Sequence, residues 1–384
     1  MVRMNRHELA AAIGSAGWRT AVEEVPREEF LGEAVYRLHP EQGWVPVRRV
    51  EMSPDDWLAL ACADETWATQ INGVLAEDAT GPVGFARPTC SSTHPGLVVR
   101  MLETAGIGEG DRVLEIGTGT GYSTALMCHR LGSHAVTSVE YDPALAARAR
   151  TALTRAGHAP TLVQGDGLLG HEAGAPYDRL IATCAVRSVP PAWLRQVRPG
   201  GTITTPMCGW LDGVALAHLT VDAEGTASGR FVDDDVYFMT ARPHLPPHRE
   251  HRLGQGHSRA GRTDPALLRD DTALFVAQLA VPHALHGWID DTLALHDVAT
   301  GSEADVRPCP EGGWTVNQHG PVRLWDLVEH VLEVWDRAGR PHQSGFGLTV
   351  TPDRQYVWLG TPDGPRWDLP QQTVSGGGML RSVR

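Results

Sequence analysis

The stretch from residue 113 to residue 122, VLEIGTGTGY, constrains the fold of this chain more than any other. A short apolar strand pattern over 112–116 leads into three alternating glycines, Gly117, Gly119 and Gly121, and then into an apolar pattern of helical period. This order predicts a strand, a tight turn and a helix. Alternating glycines let a ligand approach the backbone, and the first turn of a helix has free N–H groups. We therefore expect a nucleotide-like ligand at this turn.

The spacing of the glycines discriminates between classes of ligand. A dinucleotide fingerprint requires G-x-G-x-x-G, but its last position is Tyr122 here, and the pattern is E-x-G-x-G-x-G starting at Glu115. The second predicted strand, 135–139, is followed by Glu140, whose carboxylate is placed to accept both hydroxyls of a ribose. This combination favours S-adenosylmethionine as the cofactor, with S-adenosylhomocysteine as the product. The alternative is an ordinary glycine-rich turn of an α/β protein.

A third predicted strand, 161–164, is followed by Asp166, an acid on the expected adenine side of the pocket. The alternative for this position is a simple Asp-Gly turn. The predicted cofactor-binding residues are those of the glycine turn and of the ends of the second and third strands: Glu115, Gly117, Thr118, Gly119, Gly121, Tyr122, Glu140, Tyr141, Asp166 and Gly167.

Strand and helix patterns alternate through the middle of the chain, which predicts an α/β fold with a doubly wound, Rossmann-like class I methyltransferase sheet. We expect four segments. Residues 1–90 are predicted to form a helical cap and a substrate loop, and 91–241 the methyltransferase domain. Residues 242–265 are predicted to be a linker, and 266–384 a smaller α+β domain.

Several local predictions can be compared with the structure. Helices are expected over 6–17, 22–30 and 322–337, a substrate-facing loop over 66–87, a strand over 273–280 and a mobile tail at 375–378. Six tryptophans in the C-terminal part favour a small core over a ligand cage: Trp288, Trp314, Trp325, Trp335, Trp358 and Trp367.

A cluster of hydroxyl side chains lies directly before the predicted helix 96–105, in the sequence TCSSTHP from Thr89 to Pro95. One interpretation is a helix cap, a role that Ser92 or Thr93 alone would fill. The other is a binding site for a substrate carboxylate, formed by these hydroxyls and the free N–H groups of the helix. His94 is either a packed loop residue or a cation beside that carboxylate.

The predicted catalytic residues are Thr93, Ser92 and His94, and the predicted substrate-binding residues are Ser91, Cys184 and Val186. A carboxylate with a pKa of about 4 is already ionised at neutral pH, so its methylation requires no general base. The end of the fourth predicted strand agrees, because Thr183, Cys184, Ala185 and Val186 include no base.

Composition excludes other classes of function. The chain has 33 Lys plus Arg against 46 Asp plus Glu, and a net charge of −13 argues against nucleic-acid binding. Its six cysteines lack C-x-x-C spacing, so neither a disulfide nor a metal site is expected. Without a membrane-length apolar run or a leader pattern, the protein is expected to be soluble, cytoplasmic and away from membranes, and a monomer is favoured.

The order of several motifs resembles that of protein-L-isoaspartate O-methyltransferases over about residues 20–210. They are V-x-x-V-P-R-x-x-F at 22–30, S/T-x-P at 93–95, VLEIGTGTGY, SVE at 138–140, GDG at 165–167, YDRLIAT and RPGG. The resemblance implies that the hydroxyl of Thr93, with Ser92 beside it, lies between the methyl donor and the substrate carboxylate.

The ATCAV and SSTHP segments and the additional C-terminal domain resemble a branch found with ribosomally made, post-translationally modified peptides such as lanthipeptides and graspetides. That resemblance implies methylation of an aspartate in a ring-bearing peptide, followed by loss of methanol to give an aspartimide and then isoaspartate. It also implies that the C-terminal domain, 266–384, recognises the peptide substrate. One alternative is repair of isoaspartyl or D-aspartyl residues in damaged proteins. An alternative of another class is a non-catalytic peptide-binding subunit that retains the cofactor fold.

Overall fold

The computed structural model describes residues 4–233, 236–247 and 256–370. The chain divides into two compact units. The first comprises Met1–Ala185, Pro191–Pro206 and Ala215–Leu245; the second comprises Val186–Pro190, Met207–Val214 and Pro246–Arg384. The predicted mobile tail at 375–378 lies outside the described residues, as does part of the predicted linker.

The first unit begins with three short helices, α1 (Arg6–Ile13), α2 (Arg19–Glu24) and α3 (Arg27–Leu31). The side chain of Asn5 caps α1 by accepting from the backbone N–H of Glu8. The prediction of one helix over 22–30 is wrong. Pro26 has no N–H to continue a helix, and it is instead the N-cap of α3.

A five-stranded sheet follows, with its helix packed beside it. Its elements are β1 (Ala34–His39), β2 (Gly43–Arg48), α4 (Pro54–Ala61), β3 (Trp67–Ile71), β4 (Val74–Leu75) and β5 (Pro88–Ser92). The strand order is β2-β1-β3-β4, with β5 also paired to β3. The predicted loop over 66–87 is therefore wrong in part. Every residue of β3 is buried, and a strand buried on both faces lacks the alternation that identifies a strand in a sequence.

The central elements of the first unit alternate as predicted. They are α5 (Pro95–Thr104), β6 (Val113–Ile116), α6 (Tyr122–Leu131), β7 (Val136–Glu140), α7 (Pro143–Arg155), β8 (Thr161–Gln164), β9 (Tyr177–Ala182), α8 (Pro191–Gln196), β10 (Val197–Cys208), β11 (Val214–Val221) and β12 (Ala227–Val232).

These strands form a sheet in the order β12-β11-β10-β9-β6-β7-β8. The strands β10, β9, β6, β7 and β8 are parallel, and β11 pairs with β12 antiparallel. The first of these parallel strands along the chain is β6. The next two, β7 and β8, lie on one side of it, and β9 and β10 lie on the other, so the strand order reverses between β6 and β9. Ligands of such sheets bind at the carboxyl ends of the strands where this reversal occurs. The predicted doubly wound sheet is confirmed.

The second unit is α+β. Its elements are β13 (His257–Gly261), α9 (Asp271–Ala280), β14 (Ala284–Ile289), β15 (Thr292–Asp297), β16 (Glu303–Pro308), β17 (Trp314–His319), α10 (Leu324–Arg337), β18 (Phe346–Val350), β19 (Gln355–Leu359) and β20 (Arg366–Asp368). One antiparallel sheet has the order β13-β17-β16-β15-β14, and β18, β19 and β20 pair antiparallel in sequence order.

The predicted strand over 273–280 is wrong, because this segment is the helix α9. Asp270 caps it by accepting from the backbone N–H of Ala273 at 2.8 Å. The helix is buried on all sides, and a short apolar run without a period does not distinguish a helix from a strand. Of the six tryptophans, Trp325, Trp335 and Trp358 are buried in the second unit and the other three are half-buried. Within the described part of the chain, no helix combines the length and the apolar character needed to cross a bilayer.

Candidate active site

A cavity of about 450 Å³ lies in the first unit, at the carboxyl ends of β6, β7 and β9. Its walls include the glycine turn after β6, the end of β5, and the segment 237–243. We call the last of these the strap. The cavity is within the size range of small-molecule and cofactor sites.

The glycine turn has the backbone conformation that its sequence predicts. Gly117 has a φ of +93°, and a Cβ atom there would lie 2.9 Å from Oγ1 of Thr183. Gly119 has a φ of +55° but has room for a Cβ atom within the protein, since the nearest atom would be Sγ of Cys90 at 3.7 Å. Gly117, Thr118, Gly119 and Tyr122 all line the cavity.

Glu140 is the acid that the structure holds most firmly at this cavity. Its side chain lines the cavity, and the residue is only 7% exposed. Oε2 accepts from the backbone N–H of Gly119 at 2.8 Å, and Oε1 accepts from that of Asp142 at 2.9 Å. Burial raises the pKa of Glu140. Each carboxylate oxygen retains a further lone pair, which fits the acceptance of two ribose hydroxyls.

Asp166 and Gly167 follow the end of β8, and they line the cavity together with Tyr141. Oδ1 of Asp166 accepts from the backbone N–H of Leu168 at 2.9 Å, so its carboxylate is fixed in orientation. A Cβ atom at Gly167 would lie 2.5 Å from Cγ2 of Ile116, which explains the glycine at this position. These residues and Glu140 fit a nucleoside, and that they contact the cofactor remains a prediction.

Two predicted cofactor residues do not line the cavity. Glu115 is fully buried, and its carboxylate accepts hydrogen bonds from the hydroxyls of Ser123, Thr124 and Ser138. Burial raises its pKa. Gly121 is the N-cap of α6 with a φ of +91°. Both residues shape the turn from behind, and that either contacts the cofactor stays a prediction.

The hydroxyl cluster at the end of β5 is divided between the cavity and the protein interior. Ser91, Ser92 and Thr93 line the cavity. Ser92, however, is only 2% exposed, and its Oγ accepts from Nε of Arg27 at 3.1 Å. Thr93 is half-buried, and its hydroxyl forms no hydrogen bond with another described residue. Thr93 is therefore the better placed of the two to meet a ligand.

The amino terminus of α5 differs from the prediction. His94, rather than Ser92 or Thr93, is the N-cap, and its Nδ1 accepts from the backbone N–H of Leu97 at 3.2 Å. Oδ1 of Asp64 accepts from the backbone N–H of Gly96 at 2.7 Å. Both N–H groups are therefore already bonded, and His94 does not line the cavity. The helix donors are therefore not free as predicted, whereas a catalytic role of His94 stays a prediction.

Sequence reasoning missed Arg27, which lies behind the hydroxyl cluster. It is 2% exposed and donates six hydrogen bonds. Besides Ser92 Oγ, the acceptors are the backbone carbonyls of Ala61, Ala63, Glu65, Ser92 and Thr93. The signal was present in the sequence, since Arg27 is the arginine of the V-P-R motif.

The strap was also missed. Within it, Thr240 forms a parallel bridge with Ala185, three residues after the end of β9. Nη2 of Arg242 donates to Oδ2 of Asp142 at 2.8 Å and to Oε1 of Gln70 at 3.2 Å. Because residues so far apart in sequence meet here, no local sequence pattern predicts that the strap borders the cavity.

The two cysteines that line the cavity, Cys184 and Cys90, are not proton acceptors at neutral pH, because their pKa values are raised and the thiols stay protonated. Burial raises the pKa of Cys184 to about 12, with the nearby charges of Glu140 and Asp166 adding to it. Burial also raises the pKa of Cys90 to about 12. Among the described residues, the cavity lining includes neither histidine nor lysine. Val186, predicted to bind substrate, is fully buried and does not line the cavity.

Comparison with known proteins identifies relatives of this sequence. Residues 67–228 match the family model of protein-L-isoaspartate(D-aspartate) O-methyltransferases. A protein-L-isoaspartate O-methyltransferase of Anaeromyxobacter dehalogenans strain 2CP-1 is 39% identical over 170 residues, which are 43% of this chain and 77% of that protein. The corresponding enzyme of Ignicoccus hospitalis is 41% identical over 140 residues, covering 36% of this chain and 65% of that protein.

Another relative, from Anaeromyxobacter dehalogenans strain 2CP-C, is 44% identical, and the match covers 33% of this chain and 59% of that protein. The chain thus spans somewhat less than two thirds of the length of some of these relatives. A solved structure of a protein-L-isoaspartate O-methyltransferase aligns over 93% of this chain and 100% of its own, with a TM-score of 0.54 and 20% identity. That likeness supports the fold, and its extent includes residues of both units.

The family is one of S-adenosylmethionine-dependent methyltransferases, so the predicted cofactor is confirmed. On the identity and coverage of these relatives, the chain belongs to the protein-L-isoaspartate O-methyltransferase family.

Proposed function

We propose that this protein is a carboxyl O-methyltransferase that acts on an aspartyl side chain of a peptide. The observation that carries the proposal is the position of Thr93 and Glu140 on walls of one cavity. Its described lining has no histidine or lysine, and its two carboxylates, Glu140 and Asp166, are assigned to the cofactor in this proposal, which leaves no general base for the substrate. A nucleophile used there must arrive already ionised, and among protein side chains a carboxylate does so at neutral pH. Amine and hydroxyl nucleophiles would need a proton acceptor beyond the two carboxylates, Glu140 and Asp166, that the proposal assigns to the cofactor.

In this proposal Glu140, Asp166 and the glycine turn hold the cofactor. When bound, S-adenosylmethionine supplies an electrophilic methyl group and leaves as S-adenosylhomocysteine. The protein's contribution is positioning, which can supply at most about 7–11 kcal/mol. The Thr93 hydroxyl donates to the substrate carboxylate and aligns one of its oxygens. The apolar wall of Val98, Met101 and Leu102 excludes water from that oxygen.

The finer proposal is that the preferred substrate is a normal aspartate in a ring-bearing, ribosomally made peptide. Methylation turns the carboxylate into an ester, and the following backbone nitrogen then attacks the ester carbonyl. Methanol leaves, the amide proton goes with it, and an aspartimide remains. A peptide held in a bend by its ring lowers the ordering cost of binding. The second unit supplies ordered residues beyond the methyltransferase fold that are available to recognise such a peptide.

A second candidate, repair of isoaspartyl residues, is favoured by a specific comparison. The solved protein-L-isoaspartate O-methyltransferase aligns with 93% of this chain, so an additional C-terminal unit does not by itself separate this chain from that enzyme. Both candidates use the same cavity and the same carboxylate chemistry, and they differ only in the peptide.

Three synthetic peptides of one sequence would decide between them. The first is linear and contains isoaspartate, and the second is linear and contains aspartate. The third contains the same aspartate, with its carboxylate free, within a ring closed by two other side chains. The finer proposal predicts that the cyclised aspartyl peptide gains a methyl group fastest and then loses methanol, which leaves a mass one water below the starting peptide. Rapid methylation of the isoaspartyl peptide alone would establish repair. Cofactor binding without transfer to any peptide would favour a non-catalytic subunit.

A further inference from the structure

The guanidinium of Arg27 is a buried charge whose hydrogen-bond partners are all neutral. Its five donors reach one hydroxyl and five backbone carbonyls, at distances from 2.7 to 3.2 Å. The carboxylate of Asp64 and that of Glu65 act on it only through space. Burial lowers the pKa of Arg27 to about 10, so the group still carries its charge at neutral pH. An arginine so deeply buried without a bonded carboxylate needs an explanation.

This charge lies one layer of residues behind the cavity wall. Its Nε donates to Oγ of Ser92, and its Nη2 donates to the backbone oxygen of Thr93 at 3.2 Å. The guanidinium carbon is 5.9 Å from the ring centroid of Tyr122. Ser92, Thr93 and Tyr122 all line the cavity.

Among the described lining residues Arg242 is the one cation, and it is already paired with Asp142. The lining includes the carboxylates of Glu140 and Asp166, which repel an incoming anion. The backbone N–H groups of Gly96 and Leu97, which would otherwise attract it, are occupied by Asp64 and His94. A fixed cation behind Thr93 offsets this repulsion where the carboxylate must lie, and it does so without reorganising during the reaction.

We infer that Arg27 is a positioning residue for the substrate carboxylate. It fixes Ser92 and Thr93 from behind, and it makes the site prefer an ionised aspartyl side chain to its neutral amide. The inference rests on the proposed function. It assigns the discrimination between aspartate and asparagine to a residue that does not itself face the cavity.

The test compares the peptide that is methylated fastest in the assay above with the same peptide in which the reacting residue is asparagine. Both dissociation constants are measured with S-adenosylhomocysteine bound. The parent protein should bind the acidic peptide at least about tenfold more tightly, as expected for a charge interaction of about 1.4 kcal/mol. In Arg27→Met that ratio should fall to about one, with the asparaginyl peptide bound within about twofold of the parent.

Two variants that keep the charge separate its effect from that of disturbed packing or hydrogen bonding. Ser92→Ala leaves Arg27 in place, and Arg27→Lys retains a cation but loses most of the hydrogen bonds, so both should keep the aspartyl preference while turnover falls. Preference retained in a folded Arg27→Met protein, or lost in Ser92→Ala, would overturn the inference. If Arg27→Met does not fold, loss of the preference in Arg27→Lys overturns it. If the parent methylates no peptide, the proposed function fails; if it methylates a peptide and Arg27→Met keeps the preference, only the inference fails.

Discussion

The guanidinium of Arg242 and the carboxylate of Asp142 form an ion pair with an Nη2–Oδ2 distance of 2.8 Å. Asp142 is the N-cap of α7, and its backbone N–H donates to Glu140. The pair therefore joins the strap to the strand end that carries the proposed ribose acceptor. Burial opposes ionisation of Asp142, but hydrogen bonds from Gln70, Arg242 and the helix N–H groups outweigh it and lower its pKa.

The first prediction concerns this ion pair. Arg242→Gln should raise the Michaelis constant for the peptide by about two- to fivefold, the size expected for a half-exposed charged contact. The affinity for S-adenosylhomocysteine should change less, because Asp142 remains bonded to the start of α7. Steady-state kinetics and calorimetry separate the two effects. Arg150→Gln, on the exposed side of the same helix, is the control and should change neither.

Glu140→Gln tests the proposed ribose acceptor. An amide keeps the shape but loses the charge and one acceptor, and charged hydrogen bonds contribute about 1.5–3 kcal/mol. The dissociation constant for S-adenosylhomocysteine should rise about 10- to 100-fold, as measured by calorimetry. Glu109→Gln, an exposed position, should leave it unchanged. Equal affinity in the Glu140 variant and the parent would remove Glu140 from the cofactor site.

The raised pKa of Glu140 predicts a pH dependence with a definite sign. The ionised carboxylate is the better acceptor, so cofactor affinity should be full above that pKa and should fall as the pH decreases through it. Because burial raises the pKa, the fall should begin at a higher pH than for an ordinary glutamate. Calorimetry from neutral to mildly acidic pH should show it for the parent and a flatter profile for Glu140→Gln. An identical slope in both proteins would attribute the effect to another group.

Gly119→Ala separates a requirement of the backbone from a requirement of the ligand. The φ of +55° makes alanine unfavourable by about 1 kcal/mol, although the protein itself has room for the Cβ atom. Gly106→Ala is a matched control, with a φ of +64° and no atom within 4 Å of a Cβ. Both variants should lose similar thermal stability, but only Gly119→Ala should lose cofactor affinity. Equal affinities would contradict a close approach of the ligand to Gly119.

Thr93→Val removes the hydroxyl and preserves the branched shape. Turnover should fall about 10- to 100-fold, because a misplaced carboxylate loses its alignment. The dissociation constant for S-adenosylhomocysteine should remain within about twofold, since the proposed role concerns the substrate. Thr93→Ser should restore most of the rate. A Thr93→Val protein with parental turnover would exclude this hydroxyl from the site.

The parts of the site that could be predicted from the sequence are those fixed by local backbone chemistry. The strand, glycine turn and helix around Gly117 and Gly119 follow from residues only a few positions apart. Glu140 was also predictable, because parallel strands bring their carboxyl ends to one edge of the sheet. The capping role of His94 was not, since Asp64, some thirty positions away in sequence, shares the amino terminus of α5 with it.

Other features depend on contacts that no local pattern records. Arg242 and Gln70 are 172 positions apart, and Arg27 reaches Thr93 across 66. A buried arginine resembles an exposed one in sequence, because its burial depends on carbonyls supplied by other segments. The same holds for β3 and α9, because burial on every side removes the alternation or period that identifies a strand or a helix.

We propose that the protein transfers a methyl group to a carboxylate oxygen in this cavity. The most direct test of this proposal is single-turnover transfer from S-adenosylmethionine labelled in the methyl group to the cyclised aspartyl peptide, followed by mild alkali. A methyl ester releases its label as volatile methanol under those conditions, whereas methyl groups on nitrogen or carbon do not. We predict that the label appears on the peptide, is lost to alkali, and is much reduced with Thr93→Val. Label that stays on the peptide after alkali would contradict the account.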